Sequence, residues 1–161
     1  GLYNGNGASG VLYNMSSSPP SIINVLNGGY LYNYSYGYVS NYTSIINYSY
    51  FANYNGTFLN SAGEIDNYNS LYNNGTFYNQ SAGTINNYNS IQNDNVLMNS
   101  ATLTNASNGT FNNTTNAYLG FAPTGTFTNQ GTYLYGSKNF SKPKGTVQPI
   151  VQSPILGAGL L

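Results

Sequence analysis

Charge is nearly absent from this chain, which has three lysines, three acidic residues and neither arginine nor histidine among 161 residues. A surface this neutral cannot draw in phosphates, so nucleic-acid binding is excluded as a function class. Lys138, Lys142 and Lys144 lie close together, but three cations are too few for a phosphate-tracking groove. Cysteine is missing as well, which removes any disulfide framework. Without histidine or cysteine there is no common transition-metal site and no ordinary nucleophilic triad. A calcium site in Gly/Asp turns wants more carboxylates than the three present. No metal, no cofactor and no catalytic residue is expected, and the chain reads as no enzyme. No apolar run reaches the roughly 18 residues that a transmembrane helix needs. The chain opens on Gly1 rather than Met, as a mature protein freed of a targeting segment, or a fragment, would.

What is present is asparagine, serine, threonine, glycine and tyrosine, the last eighteen times. By composition alone this mixture also fits a disordered, aggregation-prone segment. Its periodicity does not. Residues 56–73 read GTFLNSAGEIDNYNSLYN and residues 75–93 read GTFYNQSAGTINNYNSIQN, one pattern written twice with Gln80 as the additional residue. A fixed period of about 19–20 residues is the signature of a solenoid. One large apolar residue recurs every six to eight positions: Phe58, Ile65, Leu71, then Phe77, Ile85, Ile91, with Leu97, Leu103 and Phe111 beyond. Three beats per copy predict three short strands per coil. The fold class is therefore all-β, a β-solenoid whose core is this apolar column and whose two ends are irregular caps. Asparagines follow the beats (Asn60, Asn67, Asn73, Asn79, Asn87, Asn93, Asn99, Asn105), and stacked in register their amides can form ladders from coil to coil.

The beat extends back to Leu31 and on to Leu119, which predicts four to five coils over residues 29–121. Residues 1–28 read as an N-terminal arm or cap, broken by Ser16-Ser17-Ser18-Pro19-Pro20 and closed by Asn27-Gly28-Gly29. Residues 122–161 read as a hairpin or last irregular coil and an apolar tail, all within a single domain. That tail carries Val147, Ile150, Val151, Ile155 and Leu156, with Pro149 and Pro154 forbidding a helix and placing it at an edge. It either caps the stack or adds as a strand to a neighbour. Gly56, Gly63, Gly75, Gly83 and Gly109 are expected at corners, where positive φ costs little.

Asn-x-Ser/Thr occurs twelve times, with candidate glycan acceptors Asn14, Asn33, Asn41, Asn47, Asn55, Asn74, Asn79, Asn105, Asn108, Asn112, Asn113 and Asn139. Glycans there would supply the hydration that charge does not; alternatively, Asn-Gly-Thr is only a turn before a strand. Glu64 and Asp66 share one face of a strand, yet one copy later they become Thr84 and Asn86, so the pair is an ordinary outward position. Thr57, Thr76 and Thr110 follow corner glycines, one per coil, too sparse for a regular ice-binding array. The tyrosines outnumber what a thin core can hold, leaving rings for sugars or for subunit contacts.

The pattern GTF-x-N…GTI-x-NYNSI-x-N resembles the repeats of filamentous-haemagglutinin-type adhesins and related bacterial and archaeal surface proteins, over about residues 56–116. The resemblance implies a right-handed β-helix and an extracellular, cell-surface role. The cysteine-free, sequon-dense composition is also similar to that of archaeal surface filaments and S-layer-associated proteins. Together these readings lead us to expect a glycoprotein subunit of a self-assembling filament, a pilus-like or adhesive fibre. Its partners would be copies of itself, joined by strand addition of a terminal segment. The competing expectation is an adhesin or viral fibre segment that binds host or cell-surface glycans on a tyrosine-rich face, with an ice-binding solenoid behind it.

Overall fold

The computed structural model describes residues 1–4, 10–15 and 21–135, without side chains at Tyr3, Gly10 and Tyr135. The chain winds into a β-solenoid of about six coils, each laying one short strand on each of three faces. The first face carries β1 (Leu2–Asn4), β4 (Tyr30–Asn33), the first half of β7 (Tyr50–Asn60), the first half of β9 (Ser70–Asn79), β11 (Ser90–Asn93), β14 (Thr110–Asn113) and β17 (Thr132–Tyr135). The second carries β2 (Gly10–Asn14), β5 (Gly37–Asn41), the second halves of β7 and β9, β12 (Val96–Asn99) and β15 (Tyr118–Phe121). The third carries β3 (Ile22–Val25), β6 (Ser44–Asn47), β8 (Glu64–Asn67), β10 (Thr84–Asn87), β13 (Thr102–Asn105) and β16 (Thr126–Asn129). All pairings are parallel, between strands one coil apart.

The local rule is a four-residue strand written x-Φ-x-Asn, where Φ is apolar. Residues two apart in a strand point to the same side, so the apolar residue and the asparagine both face inward. The expected core residues Phe58, Ile65, Leu71, Phe77, Ile85, Ile91, Leu97, Leu103 and Phe111 are all at most 1% exposed, as are Leu31, Val39, Ile45, Phe51 and Leu119. Phe58 stacks on Phe77 at 4.6 Å between ring centroids and leans on Phe51 at 4.8 Å.

Burying one asparagine per strand would be costly if its amide were left unpaired. Three continuous ladders prevent that. On the first face Asn4, Asn33, Asn53, Asn73, Asn93 and Asn113 are linked, each Nδ2 donating to the next Oδ1 at 2.7–3.0 Å. Asn14, Asn41, Asn60, Asn79 and Asn99 do the same at the end of the second face, and Asn47, Asn67, Asn87, Asn105 and Asn129 at the end of the third. Except at Asn113, the remaining N–H of each amide reaches a backbone carbonyl of the adjoining turn or coil, as Asn67 does to Ser90 at 2.8 Å. Every rung runs the same way, from one coil to the next toward the C-terminus. The ladders stop where the asparagine is replaced: Val25 holds the first coil's place on the third face, while Phe121 and Tyr135 pair in register with Asn99 and Asn113. Asn113 Nδ2 is buried with no partner among the described residues.

Two expectations shift. Residues 1–28, read as an arm or cap, supply β1–β3, which pair in register with the second coil. Phe127 and Tyr133 pack partly buried on the core at the other end, so the beat runs past Leu119. The corner glycines also act for a different reason. Among the described glycines only Gly28 has positive φ, 76°, while Tyr36, Asn55 and Ser81 take left-handed corners at 66°, 58° and 57°. Gly63 and Gly75 are instead needed because the ladder passes too close. A Cβ on Gly75 would sit 2.6 Å from Asn53 Nδ2, and one on Gly63 would press into the Asn41 amide.

Candidate functional site

With the interior filled, function has to be sought on the outward positions of the x-Φ-x-Asn strands. The first face divides in two. Its N-terminal half is a wall of tyrosine: Tyr30, Tyr32 and Tyr34 along and just after β4, Tyr50 and Tyr54 on β7, and Tyr72 on β9. Tyr30 stacks on Tyr32 at 4.9 Å, Tyr34 on Tyr54 at 5.6 Å with planes 17° apart, and Tyr54 meets Tyr72 at 5.3 Å. The Tyr50 and Tyr54 hydroxyls lie 3.0 Å apart, and Ala52 between them in sequence is fully buried. Burial foremost, then the Tyr54 hydroxyl and the neighbouring rings, raises the Tyr50 phenol above its ordinary value.

Beyond Tyr72 the face turns polar. In register after Tyr32, Ala52 and Tyr72 come Gln92, Asn112 and Leu134. Gln92 Nε2 donates to both oxygens of Asp94, at 2.9 and 3.1 Å. Asp94 also faces the Tyr72 phenol, which burial first and the carboxylate next push up to about 12.

The third face holds Glu64 and Asp66. They share an outward side, and Asn86 Nδ2 donates to Glu64 Oε1 at 3.1 Å and to Asp66 Oδ1 at 2.9 Å. Register places Ser44 and Thr84 beside Glu64, and Ile46 and Asn86 beside Asp66. At the corner after this face Tyr48, Tyr68 and Tyr88 form a stack, at 5.0 and 4.7 Å with planes 10° and 9° apart.

The threonines of the GT corners do not converge: Thr57 and Thr76 are adjacent on the second face, between Tyr38 and Val96, and Thr110 lies on the first. A denser array was missed. Thr84, Thr102 and Thr126 form one column of the third face, and Thr104 and Thr128 continue the column of Asn86. The signal was there in the repeated T-x-T-N at 102–105 and 126–129.

Of the twelve sequon asparagines, seven are ladder residues: Asn14, Asn33, Asn41, Asn47, Asn79, Asn105 and Asn113, each at most 3% exposed. A glycan on Nδ2 would have to displace the rungs, so the folded coil offers no acceptor at these seven. The sequon excess has a plain origin: the ladder asparagine ends its strand, and serine and threonine favour the turn two residues on. Asn55 and Asn108 are exposed, and Asn74 and Asn112 half-buried. Asn139 and the expected assembly residues Val147, Ile150, Val151, Ile155 and Leu156 lie outside the described residues. No described helix is long and apolar enough to cross a membrane.

Comparison with protein-family models, with curated proteins and with solved structures finds no match to this chain.

Proposed function

We propose that the chain is an extracellular structural protein, a subunit of a self-assembling cell-surface filament whose copies are joined by strand addition. The observation that carries this reading is the N-terminal coil. Among the described residues β1, β2 and β3 each pair on one side only, with β4, β5 and β6. Leu2, Val11, Ile22 and Leu26 on that coil are 39–63% exposed, and a cavity of about 270 Å³ opens beside Leu2, Val25, Leu26 and Leu31. Unpaired strand edges with apolar rims are templates for another strand.

The ladder ends favour a joining strand over coil-on-coil stacking. In a head-to-tail stack Asn14 would meet Phe121, and Val25 would meet Asn129, so neither ladder would continue. The tail at 146–161 has the composition of the joining strand, apolar and punctuated by prolines that keep it at an edge. Surface glycosylation, where it occurs, falls to Asn55, Asn74, Asn108, Asn112 and Asn139. The resemblance over 56–116 to adhesin-type repeats supports the same extracellular placement.

Removing residues 146–161 is the test. Electron microscopy and sedimentation should show filaments from the full chain and soluble, folded monomers from the truncated one. Filaments that persist after truncation overturn the tail as linker, and a full chain that stays monomeric overturns the filament.

A further inference from the structure

We propose that the first face carries a saccharide-binding site built from Tyr54, Tyr72, Gln92 and Asp94, where the tyrosine wall meets the polar half of the sheet. Tyr72 is the last ring of the wall. Its neighbours toward the C-terminus in the same column are Gln92 and Asn112, so no aromatic residue follows it. Beside it stands a carboxylate held in one orientation by neutral donors. Gln92 gives its amide to both Asp94 oxygens, and no described residue is a lysine or arginine that could pair with it.

An ionised carboxylate has about four lone-pair sites; Gln92 uses two of them and the Tyr72 phenol a third. The remaining site can accept from a sugar hydroxyl, and the Tyr72 phenol oxygen from a second, while the C–H face of the ring packs on the exposed aromatic surface. The other ligand classes fit poorly. Among the described residues an anion finds no lysine or arginine side chain beside Asp94, and a metal ion finds one carboxylate there. An apolar partner would bury Asp94 without a hydrogen-bonding replacement for water, which is costly. A neutral, hydroxyl-rich ligand satisfies both the rings and the carboxylate. This site does not depend on filament formation, so either idea can fail alone.

Saturation-transfer NMR and calorimetry with the full chain and four neutral probes, maltohexaose, cellohexaose, mannohexaose and xylohexaose, test it. At least one hexaose should bind, with contacts on its ring C–H groups. Asp94→Asn keeps the shape of the side chain and removes the charge; it should weaken binding about tenfold or more. Tyr72→Ala should abolish binding, and Tyr68→Ala, on the far corner, should leave it unchanged. The proposal is overturned if no probe binds, or if binding survives both Asp94→Asn and Tyr72→Ala intact. It is equally overturned if Tyr72→Ala changes only self-association in sedimentation, which would make the wall a contact between copies.

Discussion

Asn67 and Asn69 stand two residues apart and live in different regimes. Asn67 is a rung of the third ladder, fully buried, accepting from Asn47 and donating to Asn87 at 2.7 and 2.8 Å. Asn69 is exposed, with one long side-chain bond of 3.3 Å to the Tyr48 carbonyl. The interior repeats coil after coil, while the exterior passes from tyrosine to glutamate to threonine without disturbing it. The repeat is thus an interior property, and the outer face is free to specialise.

The largest effect should come from breaking that interior. Asn67→Ala strands the Asn87 oxygen, removes a partner of Asn47 and leaves a small cavity. We expect a loss of about 3 kcal/mol, a drop in Tm on the order of 6–12 °C. Asn69→Ala should stay within about 0.5 kcal/mol. Thermal unfolding followed by circular dichroism checks both, and equal losses at the two sites would refute the division.

That division also explains what could be read before the fold was seen. The apolar beat and the asparagines behind it were legible because packing and amide pairing act on every coil alike. Coil number was harder, because the sequence around the first coil's Leu12 and Ile23, which pack partly buried on the core, is Gly-rich before and Ser/Pro-rich between them, and masks the beat. The corner glycines carried the right location with the wrong cause: in sequence a glycine placed for φ looks the same as one placed for clearance. The sequons are ambiguous for a related reason, since the same Asn-x-Ser/Thr arises when a ladder rung precedes a turn. The Tyr72–Asp94–Gln92 constellation had no linear signature, because Gln92 and Asp94 are near neighbours in sequence but Tyr72 joins them from the preceding coil, through register.

A smaller effect should appear at the exterior wall in alkali. Tyr72, pushed up to about 12, binds its proton more tightly in the folded chain than at the ordinary value of 10.0. A group raised in this way makes folding stability fall as pH climbs from about 10 to about 12, because the unfolded chain ionises first. Phenolate absorbance should therefore include a late rise from Tyr32, Tyr50 and Tyr72, and Tyr72→Phe should flatten the stability loss. A single titration near pH 10 would remove the wall as a distinct environment.

The smallest effect should come from making the two copies alike outside. Glu64→Thr with Asp66→Asn writes the outward residues of β10 onto β8 and should change stability by no more than about 0.5 kcal/mol. A loss several times larger would mean that the Asn86 bridge to the two carboxylates holds the coils together.

Ladder spacing sets the terms on which this molecule can change length. Successive rungs are separated by as few as 18 residues, Asn87 to Asn105, and as many as 29, Asn4 to Asn33. The rung distance stays near 2.7–3.0 Å in both. Gln80 enters the second copy without breaking Asn60–Asn79–Asn99, because the turn from Gln80 to Gly83, with Ser81 at positive φ, absorbs it. The asparagines act as pegs that count coils rather than residues. Foreign loops can therefore be grafted at a corner, and whole coils duplicated or deleted, as long as each strand still ends on its peg.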